Sequence, residues 1–442
     1  MASRTPMMRQ STPFIGAPAR RHISVPLYLA IALFYLLLVP EQANFRIAGA
    51  LLSPYRLFLI PAFLYLLQNA IRGGFRFTWP DFAIAFGCAW IALASYISSD
   101  SIADAAIQGG AHALDIAFPY FVARFAINSL RDFRIFLICI APGVGLTGSV
   151  MLIEAVTGRH LIQPLFASLT GNPNRIGVEY RLGLMRGSAS FPHPILAGIC
   201  LASFLPLYTM SGLRGWPKIV GLAGSFGAFF SLSSAALLGL LAGTMLPLFD
   251  RLVAGVSNLG WRIFLTASAL VYVVVELTSA SGFFNLLVRF ASLNTVSAYN
   301  RVLIWRYGSE NVIRNPWFGI GYDDWDRPDW MQWINSFSVD HFWLLTAMRF
   351  GLPVALLFIL ATGSAVFYLA ARSSQHSPAD ARLMRGTAIS LAVFALGAVS
   401  VALWLNAMVW YFILVGMAVS LAFNSPPSAT RFNPQGMSRQ PF

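Results

Sequence analysis

Two arginine-rich stretches hold the residue types best suited to chemistry. One runs from Thr157 to Ser190 and carries Arg159, Arg175, Arg181 and Arg186; the other runs from Ser279 to Asp340 and carries Arg289, Arg301, Arg306, Arg314 and Arg327. Read plainly, these are solvated loop charges. Read for chemistry, they form an anion site, because a guanidinium grips phosphate oxygens through a planar fork that lysine cannot reproduce. Arg301 and Trp305 fall one helical turn apart, which sets a cation beside an aromatic on one face of a short helix. His341 closes the second stretch, where a histidine can accept a proton near neutral pH. His193 stands between Pro192 and Pro194 at the start of an apolar run, as a cap or turn-setting residue. The run Asp323, Asp324 and Asp326 reads as a solvated turn, with pairing of one aspartate to an arginine or to acceptor hydroxyls as the alternative. Cys88, Cys139 and Cys200 lie singly inside apolar runs, so no metal site, disulfide framework or cofactor is expected.

The elements that must position these residues follow from composition. Of 442 residues, 57% are hydrophobic and 11% charged, with a mean hydropathy of +0.66; a soluble domain carries roughly 25% charged residues. An ordinary soluble enzyme is excluded. The net charge of +13 is almost all arginine, Lys218 being the one lysine, and it is dispersed between apolar runs, which argues against nucleic acid as a partner. The fold class expected is all-α: a polytopic integral membrane protein with about twelve transmembrane helices and two long external loops, 157–190 and 279–340. Residues 25–424 form a single transmembrane domain, flanked by disordered cytoplasmic tails over 1–24 and 425–442. The spans read as 25–40, 47–67, 81–97, 107–127, 133–156, 191–210, 216–232, 235–249, 261–278, 342–369, 386–402 and 405–423. Arginines on every second connection place both termini in the cytoplasm. Trp325, Trp330 and Trp333 read as a membrane-interface belt.

Ionisable residues inside spans are costly and need a reason. Arg56 and Asp115 are expected to pair across helices, Glu154 and Glu276 to snorkel at span ends, and Arg349, eight residues past His341, to support the site electrostatically.

The run Arg186-Gly187-Ser188 to Phe191-Pro192-His193-Pro194, the Arg301-x-x-x-Trp305 segment, the Asn315-Pro316-x-x-Gly319-x-Gly321 turn and His341 before a span reaching Gly351-Leu352 resemble the bacterial O-antigen ligase and polysaccharide polymerase superfamily. The resemblance covers roughly residues 157–360, and the topology matches over the whole chain. The chain departs from the family at Phe342, where asparagine often follows the histidine, and at Ser233-Ser234-Ala235, where an arginine often stands. The resemblance implies a metal-independent, inverting glycosyltransferase of the bacterial inner membrane with its active site on the periplasmic side. Its donor would be a glycan on undecaprenyl diphosphate, and its acceptor a glycan or lipid A-core. Arg186 and Arg301 would hold the diphosphate and His341 would assist proton removal from the acceptor hydroxyl. Arg181, Trp305, Arg306, His193 and Arg349 would complete the substrate site. A polymerase of exopolysaccharide or O-antigen is the preferred reading and an O-antigen ligase the alternative. Membrane lipids, a chain-length regulator and a flippase are the expected partners. A secondary transporter is the rival from another class, and a scaffold for polysaccharide export a third reading.

Overall fold

The computed structural model describes residues 23–47, 50–99, 101–174, 176–253, 259–279, 282–283, 295–333 and 338–424. Of the expected tails, 1–24 and 425–442, all but residues 23 and 24 lie outside the described residues, as do Arg175 and Arg289. Helices dominate: α1 Val25–Leu37, α2 Pro54–Arg72, α3 Trp79–Ser98, α4 Gly110–Ala126, α5 Leu130–Thr157, α6 Ile162–Thr170, α7 Pro194–Met210, α8 Trp216–Phe226, α9 Ser234–Leu252, α10 Leu259–Thr278, α11 Thr295–Arg314, α12 Phe342–Phe350, α13 Leu352–Ser373, α14 Pro378–Gly397 and α15 Leu405–Asn424. Two small antiparallel hairpins join them, β1 Phe45–Ile47 with β2 Ala50–Leu52 and β3 Tyr180–Arg181 with β4 Leu184–Met185.

Six of the helices, α3, α5, α9, α10, α13 and α15, are long and apolar enough to cross a bilayer; α1 and α7 are apolar but shorter. Apolar on every side, α15 is buried along nearly its whole length and forms the axis of the bundle, packed by α4, α13 and α14. By contrast α10 has no buried residue in its apolar stretch and touches α9 through Trp261 and Phe264, with Trp261 Nε1 donating to Asp250 at 3.0 Å. Helix starts follow local chemistry. Thr78 and Asp81 form a capping box on α3, Ser129 caps α5 through the Asp132 N–H, and prolines open α7, α8 and α13.

Several expected spans have different bounds. Phe45–Ile47 pairs with Ala50–Leu52 as antiparallel strands, so the second helix starts at Pro54. The expected span 342–369 is two helices. Gly351 breaks it at φ +87°, where a Cβ would stand 2.0 Å from the Trp317 carbonyl oxygen, so α12 turns off α13 against the Asn315–Gly321 turn. Hydropathy could not show this, because both halves are apolar. The expected span 386–402 runs instead from Pro378 to Gly397. Between α8 and α9 the chain passes through a 3-10 turn, Gly227–Ser231, and breaks at Leu232, whose φ is +48°. That turn sits on α5 because glycines meet there: a Cβ on Gly148 would lie 2.5 Å from the Gly224 carbonyl, and one on Gly227 would lie 2.4 Å from Gly148 Cα.

The expected Arg56–Asp115 bridge is present between α2 and α4. Arg56 Nε donates to Asp115 Oδ1 at 2.9 Å and Nη2 to Oδ2 at 2.5 Å, with the Tyr55 hydroxyl donating to Oδ2 at 3.2 Å. A second buried pair was not expected: Arg124 binds Asp81 at 3.0 Å with both side chains wholly covered, and the Tyr120 hydroxyl donates to the same carboxylate at 2.7 Å. Removing one partner of a buried pair strands the other charge and costs about 3–5 kcal/mol. Asp115→Asn is therefore expected to lower the thermal midpoint of the detergent-solubilised protein sharply, whereas Arg56→Met with Asp115→Leu recovers most of that loss. Equal midpoints for the wild type and Asp115→Asn would show that the bridge contributes nothing.

Candidate functional site

The β3–β4 hairpin delivers the first arginines. Its turn is Leu182-Gly183, at φ 52° and 78°, a two-residue connection of the kind that keeps the strand twist. The register pairs Tyr180 with Met185 and Arg181 with Leu184, and one step outward Glu179 faces Arg186. There the Arg186 N–H donates to the Glu179 carbonyl at 2.9 Å, and Arg186 Nη1 donates to the Glu179 carboxylate. The Arg186 side chain is only 2% exposed. Its Nε donates to the Ser231 carbonyl at 3.0 Å, and Arg181 Nη1 donates to the Leu232 carbonyl at 3.2 Å. Both acceptors lie at the end of the 3-10 turn, where carbonyls lack helical partners and carry the negative end of the dipole.

Arg301, on α11, completes the group. Burial lowers its proton affinity, Asp340 opposes that effect and Arg181 adds to it. Burial likewise lowers that of Arg186, with Arg181 and Arg301 repelling it and Glu179 holding it up. Burial pushes the Glu179 carboxyl up, but the Arg186 contact together with the fields of His193 and Arg181 outweighs this, so it sits below its usual value. Three guanidiniums thus act on one another and on two carboxylates, with Arg186 buried, Arg181, Arg301 and Asp340 half-buried and Glu179 facing solvent. Arg186 Nη2 and Arg301 Nε are buried with no hydrogen-bond partner among the described residues. Buried donors of this kind are expensive unless something binds them, so the arrangement suits an anion with several oxygens.

Both candidate histidines cap helices. His193 Nδ1 accepts the Ile195 N–H at 3.2 Å at the start of α7, as the sequence indicated, and its ring meets Trp404 edge-on. Burial and then Arg186 lower its pKa. His341 Nδ1 accepts the Leu344 N–H at 3.1 Å at the start of α12, and the ring stacks on Trp305 with centroids 4.8 Å apart. With Nδ1 accepting, the neutral ring carries its hydrogen on Nε2. Burial pushes the His341 pKa down to about 4.

The structure therefore brings together Arg181, Arg186, Arg301 and His193, with Trp305 joined to His341. Arg306 is about 140° around α11 from Arg301 and lies over the Tyr307 ring at 5.6 Å. Arg349 is roughly 12 Å along from His341 by helical rise, and lies over the Tyr322 ring at 4.7 Å. Trp325 does not belong to an interface belt: it is buried with Leu303 and Met331 in a small core under α11 and α12. From the acidic run, Asp326 pairs with Arg314.

Sequence reading misses Glu179 and Asp340 and misplaces Glu154. Glu179 was findable, since a hairpin turn at Leu182-Gly183 puts residues 179 and 186 opposite each other. Asp340, adjoining His341, acts on Arg301 and His193. Glu154 does not snorkel: it is wholly buried and accepts the N–H groups of Leu161, Ser188 and Ala189 at 2.9, 2.9 and 3.0 Å. Glu276 is exposed and accepts the Phe283 N–H at 2.8 Å.

Residues 219–359 match the family model described as O-antigen ligase, which bears out the resemblance noted in the sequence. The matched segment includes the 3-10 turn, Arg301, Trp305, His341 and Arg349, whereas Arg181, Arg186 and His193 precede it. No curated protein matches the chain significantly.

The capping bond makes His341 a pH-sensitive element of stability. The unfolded ring takes up a proton near its ordinary value of 6.5, and the folded ring only near 4. The stability held by the neutral ring is thus present above pH 6.5 and lost as pH falls through that interval, by about 3 kcal/mol in all. Asn also caps helices and does not titrate. Thermal midpoints of His341→Asn are expected to fall less than those of the wild type between pH 6.5 and 4; parallel curves would place the titration elsewhere.

Proposed function

From its O-antigen ligase segment, we propose that the chain is a multi-pass inner-membrane glycosyltransferase that moves a glycan from undecaprenyl diphosphate to a sugar hydroxyl on the periplasmic face. Within that class we favour a polysaccharide polymerase, with about twelve spans and the arginine-bearing loops outside the cytoplasm. The observation that carries the reading is the group of buried Arg186 with half-buried Arg181 and Arg301, in which Arg186 Nη2 and Arg301 Nε are covered and lack a partner among the described residues. A diphosphate presents enough oxygens to satisfy them.

The lipid part of such a donor has a place beside this group. An open apolar groove of about 530 Å³ runs between the 3-10 turn and α9, lined by Phe226, Phe229, Phe230, Leu237, Leu241 and Met245. It starts from the same turn whose Ser231 and Leu232 carbonyls hold the two arginines. A polyprenyl tail in the groove would leave its diphosphate against the guanidiniums.

Transfer then proceeds by attack of the acceptor oxygen on the anomeric carbon, opposite the departing diphosphate, so that the carbon inverts. Charge grows on the leaving oxygen, and fixed guanidiniums stabilise that change more than the ground state. For His341 the sequence expectation was proton removal. To do so it would have to release the Leu344 N–H, since its other ring nitrogen already carries hydrogen. We assign His341 and the stacked Trp305 to holding the acceptor sugar, by donation from Nε2 and by ring contact. Asp340, in the field of Arg301, is the carboxylate we assign to take the hydroxyl proton.

The family match, described as an O-antigen ligase, favours ligation to lipid A-core as the second reading. Glycan analysis of a deletion strain complemented with wild type or Arg301→Ala separates the two. Arg301→Ala is expected to lower transfer by about 10²–10³, as loss of one transition-state donor does. Accumulated single repeats without polymer support the polymerase; full-length polymer left on the carrier, with bare lipid A-core, supports the ligase. Unchanged glycans with folded Arg301→Ala and His341→Ala would end both.

A further inference from the structure

We propose that Glu154 is a positioning residue for the anion site: its buried carboxylate seats the Arg186-Gly187-Ser188-Ala189 segment, and thereby fixes where the Arg186 guanidinium stands. This rests on the anion-site reading given above. Glu154 lies in the last turn of α5, just ahead of Gly158, which ends the helix in the left-handed region. Its Oε2 accepts two successive backbone N–H groups, Ser188 at 2.9 Å and Ala189 at 3.0 Å, while Oε1 accepts Leu161 at 2.9 Å. Successive N–H groups turned toward one point make a concave anion cradle, and here the chain fills it with its own carboxylate. His160 Nδ1 stands 3.6 Å from the same oxygen and 3.3 Å from Ser188 Oγ, and Gln163 Nε2 donates to Ser188 Oγ at 3.2 Å.

The cradle has a conformational cost. Ala189 sits at φ +48°, a region an L residue seldom enters. The segment is also held from its other side. The Gly187 N–H donates to the Phe230 carbonyl at 2.9 Å, and a Cβ on Gly187 would meet the Met151 carbonyl oxygen at 2.6 Å, so the backbone lies directly on α5. Arg186 immediately precedes this clamp and reaches the Ser231 carbonyl beside Phe230. Loosening the Glu154 side would let the segment leave its strained conformation and carry the guanidinium with it. No substrate contact by Glu154 is needed.

The test uses the purified full chain in detergent with inorganic pyrophosphate as probe, read by thermal stabilisation. Wild type is expected to be stabilised and Arg186→Ala to lose most of that effect. Glu154→Gln is expected to keep its ligand-free midpoint within a few degrees yet bind pyrophosphate about tenfold more weakly, the scale of one lost charge-assisted hydrogen bond. Adding Ala189→Gly to Glu154→Gln removes the backbone strain and is expected to restore part of the binding. Combining Glu154→Gln with Arg186→Ala is expected to be no worse than Arg186→Ala alone, as for groups acting through one element. Wild-type affinity in Glu154→Gln overturns the proposal. Wild-type affinity in Arg186→Ala instead overturns the anion-site reading beneath it. If Glu154→Gln does not fold, Glu154→Asp retains the charge and draws it back by one methylene; unchanged pyrophosphate affinity there would equally overturn the proposal.

Discussion

A guanidinium withdrawn from water is the constraint around which the site is built. Arg186 is almost wholly covered, and a buried charge is tolerated only when its donors are met. Glu179 supplies a carboxylate, Ser231 a carbonyl, and one nitrogen is left without a partner among the described residues. Each supplier imposes something on its own element. Glu179 is opposite only because a hairpin closes at Leu182-Gly183. Ser231 has a spare carbonyl only because the helix between Trp216 and Leu252 is interrupted at Leu232. An uninterrupted helix would have spent that carbonyl on its own ladder.

Glycines and caps then fix the interrupted pieces in place. Contact of Gly148 with Gly224 and Gly227 brings the 3-10 turn hard against α5, the helix that also carries Glu154. Across the site, α12 stands off α13 at Gly351, and His341 begins it by accepting a backbone N–H. His193 does the same for α7. Both histidines of the site are thus helix caps, held neutral by burial, and their chemistry is that of donors and ring surfaces. The small core of Leu303, Trp325 and Met331 packs α11 onto α12, which sets Trp305 on His341 and Arg301 toward Asp340 and Arg181.

Hydropathy and charge are properties of local sequence, and what depends on them is legible in the order of residues alone. The membrane class, most helices and the arginine set follow from apolar runs and from arginines gathered in two long stretches between them. The Arg56–Asp115 pair is legible too, because two opposite charges inside apolar runs have few partners other than each other. Asp81 and Arg124 are not, since both read as charges at helix ends. The same limit hides Glu154, whose partners are backbone N–H groups that no side-chain pattern reveals. Only the tertiary structure decided that Arg306 lies over Tyr307 and Arg349 over Tyr322, that one apolar run breaks at Gly351, and that the lone pair of His341 belongs to Leu344. Those outcomes depend on ångström-scale distances between segments far apart in the chain. Residue type states what a group can do; packing settles which partner takes it.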